Sequence, residues 1–192
     1  MVEEYYLGGG DVEFIPINPD GSEGTPIQIG CLKEASIKIE TSLVDIVCRS
    51  GAVKITKDKI ISEKKGTLTF KTNNTNIDNL AFALGGTKGT KHFNAGDLLP
   101  DGTTAANDMD VPVIEVDNKS NLFRGKVKFI GEPATGNVKP VFEVLYAVVQ
   151  SDGDISLVSD SETELSFSAE MLGVKDNGKV IFTRVYRLPY EN

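Results

Sequence analysis

Tryptophan is missing from the 192 residues, histidine occurs once and cysteine twice, and each shortage closes off a kind of chemistry. Cys31 and Cys48 lie 17 positions apart outside any CxxC pair. They make no disulfide framework, and with His92 as the single imidazole a Cys/His zinc site is short of ligands. Both are expected to be reduced, partly buried thiols. Any Ser-His-Asp or Cys-His constellation must pass through His92, and no GxSxG nucleophile elbow occurs. His92 is expected to be a solvated loop residue. With no tryptophan and 7% aromatic residues, a sugar-stacking platform is poorly supplied. No apolar run approaches the ~20 residues of a membrane-spanning helix. The start, Met1-Val2-Glu3-Glu4-Tyr5-Tyr6, is acidic where a secretory signal is basic and then apolar, so export by that route is not expected.

Basic residues are also in short supply. Asp and Glu number 28 against 20 Lys and Arg, a net charge of minus 8. Tight clamping of nucleic acid relies on Lys and Arg displacing counterions from phosphates, so this chain is not built to hold DNA. Gly85-Gly86-Thr87-Lys88-Gly89-Thr90-Lys91 has the composition of a phosphate loop but not its order, and its glycines follow a helix-like segment instead of opening one. Counting an EF-hand from Asp152 puts Leu157 and Thr163 where Gly and Glu are required,. No cofactor or metal is expected, and an enzyme is the minority reading.

Period-2 patterning dominates, the mark of strands with one wet face. Ile37 and Ile39 alternate with Ser36, Lys38 and Glu40; Leu68 and Phe70 alternate with Thr67, Thr69 and Lys71; Leu165, Phe167, Ala169 and Met171 alternate with Glu164, Ser166, Ser168 and Glu170. Val141 to Val149 is almost continuously apolar and should lie centrally. Val127 and Phe129, then Val180, Phe182 and Tyr186, add further strands. Asp152-Gly153 and Asn177-Gly178 read as hairpin connections. One segment has helical spacing: Ile77, Leu80, Ala81 and Leu84, with Asn76 as N-cap and Gly85 just past the end,.

The expected fold is therefore mainly β: one antiparallel β-sandwich or barrel domain over residues 1–192, with a single short flanking helix at 76–84 and long loops. Residues 1–30 are expected to form an N-terminal arm and Gly85 to Asp110 a long surface loop.

Charge is distributed unevenly. Between Lys139 and Lys175 there is no Lys or Arg, while Asp160, Glu162, Glu164 and Glu170 share the parity of Ser166 and Ser168. If 160–171 is one strand, these form an acidic and hydroxyl stripe backed by core; an ordinary solvated strand face has the same pattern. Lys54, Lys57, Lys59, Lys64 and Lys65 gather on the other side of the charge balance, interleaved with Ile55, Ile60 and Ile61. That is more apolar content than a solvated connection needs, so residues 43–66 read either as a plain charged hairpin or as an arm that docks on another subunit.

An order of features then resembles the major tail tube proteins of tailed bacteriophages. It runs from Gly30-Cys31-Leu32-Lys33-Glu34-Ala35-Ser36-Ile37-Lys38-Ile39 through the charged hairpin to Lys64-Lys65-Gly66-Thr67-Leu68-Thr69-Phe70. Then come Asn76 to Gly86 and, near the end, Gly178-Lys179-Val180-Ile181-Phe182. The resemblance implies a β-sandwich or barrel with a flanking helix, assembled into hexameric rings that stack into a hollow conduit for DNA ejection. It implies a place in the virion tail, assembly in the host cytoplasm, and tail terminator, tape-measure and baseplate proteins as partners, with a sheath as a further candidate. DNA would pass without being held, and no membrane is involved. On that reading Asp160, Glu162, Glu164 and Glu170 are the expected lumen-facing residues, and Lys54, Ile55, Lys57, Lys59, Ile60, Ile61, Lys64 and Lys65 belong to the expected ring-stacking arm. The alternative is a non-enzymatic surface, fibre or adhesin-like β-domain.

Overall fold

A computed structural model of the chain describes residues 9–50, 53–118, 122–132, 138–156 and 162–189. Twelve strands and one helix follow in order: β1 (Gly9–Pro16), β2 (Ile27–Cys31), β3 (Glu34–Ser50), β4 (Val53–Thr72), α1 (Ile77–Leu84), β5 (Thr87–Phe93), β6 (Met109–Glu115), β7 (Phe123–Glu132), β8 (Val138–Ser151), β9 (Leu165–Met171), β10 (Val174–Asp176), β11 (Lys179–Ile181) and β12 (Thr183–Pro189). The mainly β, antiparallel architecture with one short helix is as the sequence patterning predicts.

Eight strands form one sheet in the order β2-β1-β7-β8-β9-β4-β3, with β12 also paired to β8. Strand β8, the apolar run, is the branch point. One of its edges pairs with β7, and the other is shared by β12 along Val138–Val144 and by β9 along Ala147–Ser151. The chain passes from β2 at one end of this order to β3 at the other through Leu32 and Lys33 alone. The Leu32 N–H donates to the Gly10 carbonyl at 3.2 Å and the Lys33 N–H to the Lys71 carbonyl at 2.9 Å. The sheet is thus curled around its own apolar face in a sandwich-like way without closing into a barrel.

That inner face is the core. Val12, Phe14, Ile29, Leu68, Phe70, Val127, Val144, Val149, Leu165 and Phe167 are buried together, and the alternation in β9 places Leu165, Phe167, Ala169 and Met171 inward as expected. Helix α1 covers it with Phe82, whose ring lies 4.9 Å from that of Phe14, 4.5 Å from Phe123 and 5.2 Å from Phe167. Both helix ends are capped locally: the Asn76 side chain accepts from the Asn79 N–H at 2.8 Å, and Gly85 takes the left-handed conformation, φ 64°,. The buried Asn79 ties the helix to the sheet, its Nδ2 donating to the Ile29 carbonyl at 3.0 Å and the Asn74 carbonyl at 2.8 Å. Asn177 and Gly178 both have positive φ, 48° and 78°, the geometry a two-residue hairpin turn requires between β10 and β11.

Two expectations are corrected here. Of the expected N-terminal arm at residues 1–30, residues 1–8 lie outside the described residues and the remainder carries β1 and β2, because Val12, Phe14 and Ile29 find partners on the inner face. Gly85 to Asp110 is not a loop throughout, since β5 and β6 pair from Thr87 with Glu115 to Phe93 with Met109. The connection between them is folded on itself, Leu98 bridging to Thr104.

Phe167 stacks on Phe70, 5.1 Å between ring centroids, and meets Phe82 in a tilted contact. Phe167→Ala should therefore lower unfolding free energy by about 3–5 kcal/mol, read as a shifted urea midpoint with an unchanged slope.

Candidate functional site

Strands β3 and β4 pair along their whole length, from Glu34 with Lys71 to Ser50 with Val53. Only Gly66–Thr72 of β4 also pairs with β9, and among the described residues β3 has no second partner strand. Past Ile39 and Gly66, the pair therefore leaves the sheet as a two-stranded arm. Breaks in register at Ser42/Leu43 and Ile46/Val47 leave Ser62 and Lys57 as extra residues on β4, which increases local twist. The expected hairpin at 43–66 is present.

An isolated two-stranded hairpin is at best marginally stable in water, and this one is apolar on both sides. Cross-strand register places Leu43 with Ile61 on the side continuing the core face, and Val44 with Ile60 on the other. Ile37, Ile39, Leu43, Val44, Ile46, Val47, Ile55, Ile60 and Ile61 are each 38–64% exposed. The arm's polar residues pair with one another, Lys59 with Asp45 at 3.5 Å, Lys65 with Glu63 at 3.2 Å and Lys38 with Glu40 at 2.6 Å. Of the residues predicted from sequence, Ile55, Lys57, Lys59, Ile60, Ile61, Lys64 and Lys65 are exposed along β4, while the side chain of Lys54 lies outside what is described. The β3 half of the apolar surface, Leu43, Val44, Ile46 and Val47, escaped the sequence reading. Its signal was a pair of apolar doublets between charged residues.

The acidic stripe is only partly assembled. Residues 160–171 do not form one strand: β9 starts at Leu165, where the core face begins, and Glu162 to Glu164 precede it. Asp160 lies outside the described residues. Within β9, Ser166, Ser168 and Glu170 do share the outer face, adjoining Lys71, Thr69 and Thr67 of β4. The expectation that no base lies near fails in space. Glu164 is ion-paired with Lys33, and Asn73 Nδ2 donates to Glu162 Oε2 at 2.6 Å. The other bases of this face are paired too, Lys71 with Glu34 at 2.9 Å and Lys38 with Glu40.

His92 stands on strand β5, not in a loop, where its Nδ1 is 2.7 Å from Asp110 Oδ1 across the ladder. Lys88 of the glycine-rich segment pairs with Asp78, so that segment ties β5 to the helix start. Among the described residues no group of three His, Cys, Asp or Glu side chains is placed to hold a metal ion.

No protein-family model matches the chain, and no curated protein matches it.

Lys33 holds the Glu164 carboxyl below its ordinary value of 4.5, first by hydrogen bonding and then by charge, and Glu164 raises the Lys33 ammonium above 10.5 by the same two causes. A depressed carboxylate contributes stability above its unfolded pKa and loses it as pH falls through the folded one. A raised lysine contributes below its unfolded pKa and loses it as pH rises through the folded one. The pair thus stabilises between these ranges, modestly at so exposed a site. Glu164→Gln should melt below the wild type near neutral pH, and the gap should close as pH drops below 4.5, which calorimetry over an acid series will check.

Proposed function

We propose that the chain is a structural subunit of a self-assembling tube, the tail tube of a tailed bacteriophage, in which hexameric rings stack and DNA passes along the bore. The observation that carries this reading is the arm. A long hairpin with branched aliphatic residues on both sides and no partner among the described residues of its own chain calls for cover by another subunit, and tube building by repeated identical contacts supplies that cover at every ring. The order of sequence features resembling tail tube proteins supports the same reading. The working partners are then further copies of the chain and the proteins that end, measure and anchor the tube, in the virion tail.

For the bore we propose the outer face of β9 and its neighbours: Ser166, Ser168 and Glu170, flanked by Glu162 and Glu164, with Asp160 beyond the described residues. Its bases, Lys33, Lys38 and Lys71, are each matched by a carboxylate, and hydroxyls fill the row between, with Ser36 and Thr69 hydrogen-bonded at 2.7 Å. A wall without a ladder of free ammonium groups makes few salt-dependent phosphate contacts and lets duplex DNA slide.

Two experiments test this. Replacing residues 43–62 by Asn-Gly joins Ser42 to Glu63, which already face each other. The variant should keep its β-type circular dichroism and cooperative unfolding but form no rings or tubes in negative-stain images; tubes of normal length would refute the arm's role. Separately, tubes carrying Ser166→Lys and Ser168→Lys should retain labelled duplex DNA at low salt and release it as salt rises, unlike wild type. Equal retention by both would remove this face from the bore.

A further inference from the structure

At the root of the arm the described residues leave the curled sheet unfilled. A groove of about 360 Å³ opens between the inner faces of β3 and β4 on one side and of β7 and β8 on the other, floored by Ile37, Leu68, Phe129, Phe142 and Val144. Ala35 lines its wall, and Lys33, Glu34 and Gly9 stand at its rim.

We propose that this groove receives the arm of a second copy of the chain, with Leu43 and Ile61 inserted against Phe129 and Phe142. The inference rests on the tube reading and names the surface that the arm meets. Three observations favour a second copy. First, the nine exposed aliphatic residues of β3 and β4, counted over both sides of the arm, present on the order of 800 Å² of residue surface, close to what each partner contributes to a stable interface. Second, the charges do not conflict: next to Leu43 and Ile61 the arm carries the cross-strand pair Asp45 and Lys59, and Lys33 and Glu34 at the groove are paired within their own chain with Glu164 and Lys71, so the contact brings no unpaired like charges together. Third, the groove floor and the arm's inner side are one continuous surface through Ile37 and Ile39. A neighbour's arm entering the groove therefore covers the root of the arm that leaves it. Such a head-to-tail contact uses two different patches and repeats without end unless it closes.

The test is site-specific photo-crosslinking of the full-length chain, with p-benzoylphenylalanine at Ile61 and an equal mixture of light and nitrogen-15 chains assembled before irradiation. Mass spectrometry should find mixed light and heavy crosslinks from residue 61 to peptides spanning 123–132 or 138–151. Crosslinks confined to single chains, or running to other surfaces, overturn the proposal. So do crosslinks to Phe142 from a probe placed within residues 1–8 in place of the arm, since the groove then belongs to the chain's own start. Filling the groove at exposed Ala35 separates this proposal from the reading it rests on. Ala35→Trp should fold with an unchanged melting temperature and lose tube formation at concentrations where wild type assembles. If it forms tubes while the arm deletion does not, the arm is the stacking element but this groove is not its seat.

Discussion

Two residues decide the shape of the molecule. Leu32 and Lys33 carry the chain from one end of the seven-strand path to the other, a separation of about 29 Å if the sheet were flat at ~4.8 Å per strand. Four successive Cα atoms, from Cys31 to Glu34, reach no more than about 11 Å. The sheet has to roll until its ends nearly meet, and the two linking N–H groups are satisfied one on each side, by Gly10 of β1 and Lys71 of β4.

Rolling creates a single enclosed face and leaves its ends open. At one end the gap is closed by α1, short enough to depend on tertiary contacts for its stability and secured by Phe82, the Asn76 cap and the buried amide of Asn79. At the other end none of the described residues forms a helix: β3 and β4 run on past the body, and the groove lies at their base. The fold and the proposed docking surface are therefore the same ladder, first covered on one side by the core and then on neither. The fold accordingly presents aliphatic side chains to water from Leu43 to Val47 and from Ile55 to Ile61, an unfavourable arrangement that association removes.

How much of this can be read from sequence depends on the range of the deciding interaction. The helix and its caps rest on contacts within a few residues, so Asn76, Gly85 and the i, i+3, i+4, i+7 spacing suffice. The inward set of β9 follows from parity. The start of β9 does not, because the polar alternation continues through Glu162 and Glu164 although the core face ends at Leu165. Lys33 and Glu164 are 131 positions apart, which no local pattern reports, so a stripe without neighbouring bases in sequence acquires one in space. Strands β5 and β6 are hidden by composition, since six of the seven residues of β5 are exposed and its glycine and threonines read as loop. Residues 1–30 read as an arm because what makes β1 a core strand is pairing with β7, more than 100 positions away, with β2 held in turn by β1.

The continuity of β4 also has a mechanical meaning. Its 20 residues run from the arm into the body as one strand, and Gly66 to Lys71 are paired to β9 on one edge and to β3 on the other. Tension applied to the arm enters along the strand axis, so the ladder bonds from Gly66 to Thr72 are loaded together in shear and not opened one after another like a zip. A filament whose subunits were joined through such arms would stretch as a series of sheared sheets, and its tensile strength would be set by the β4–β9 ladder, deep in each subunit, as much as by the contacts between them.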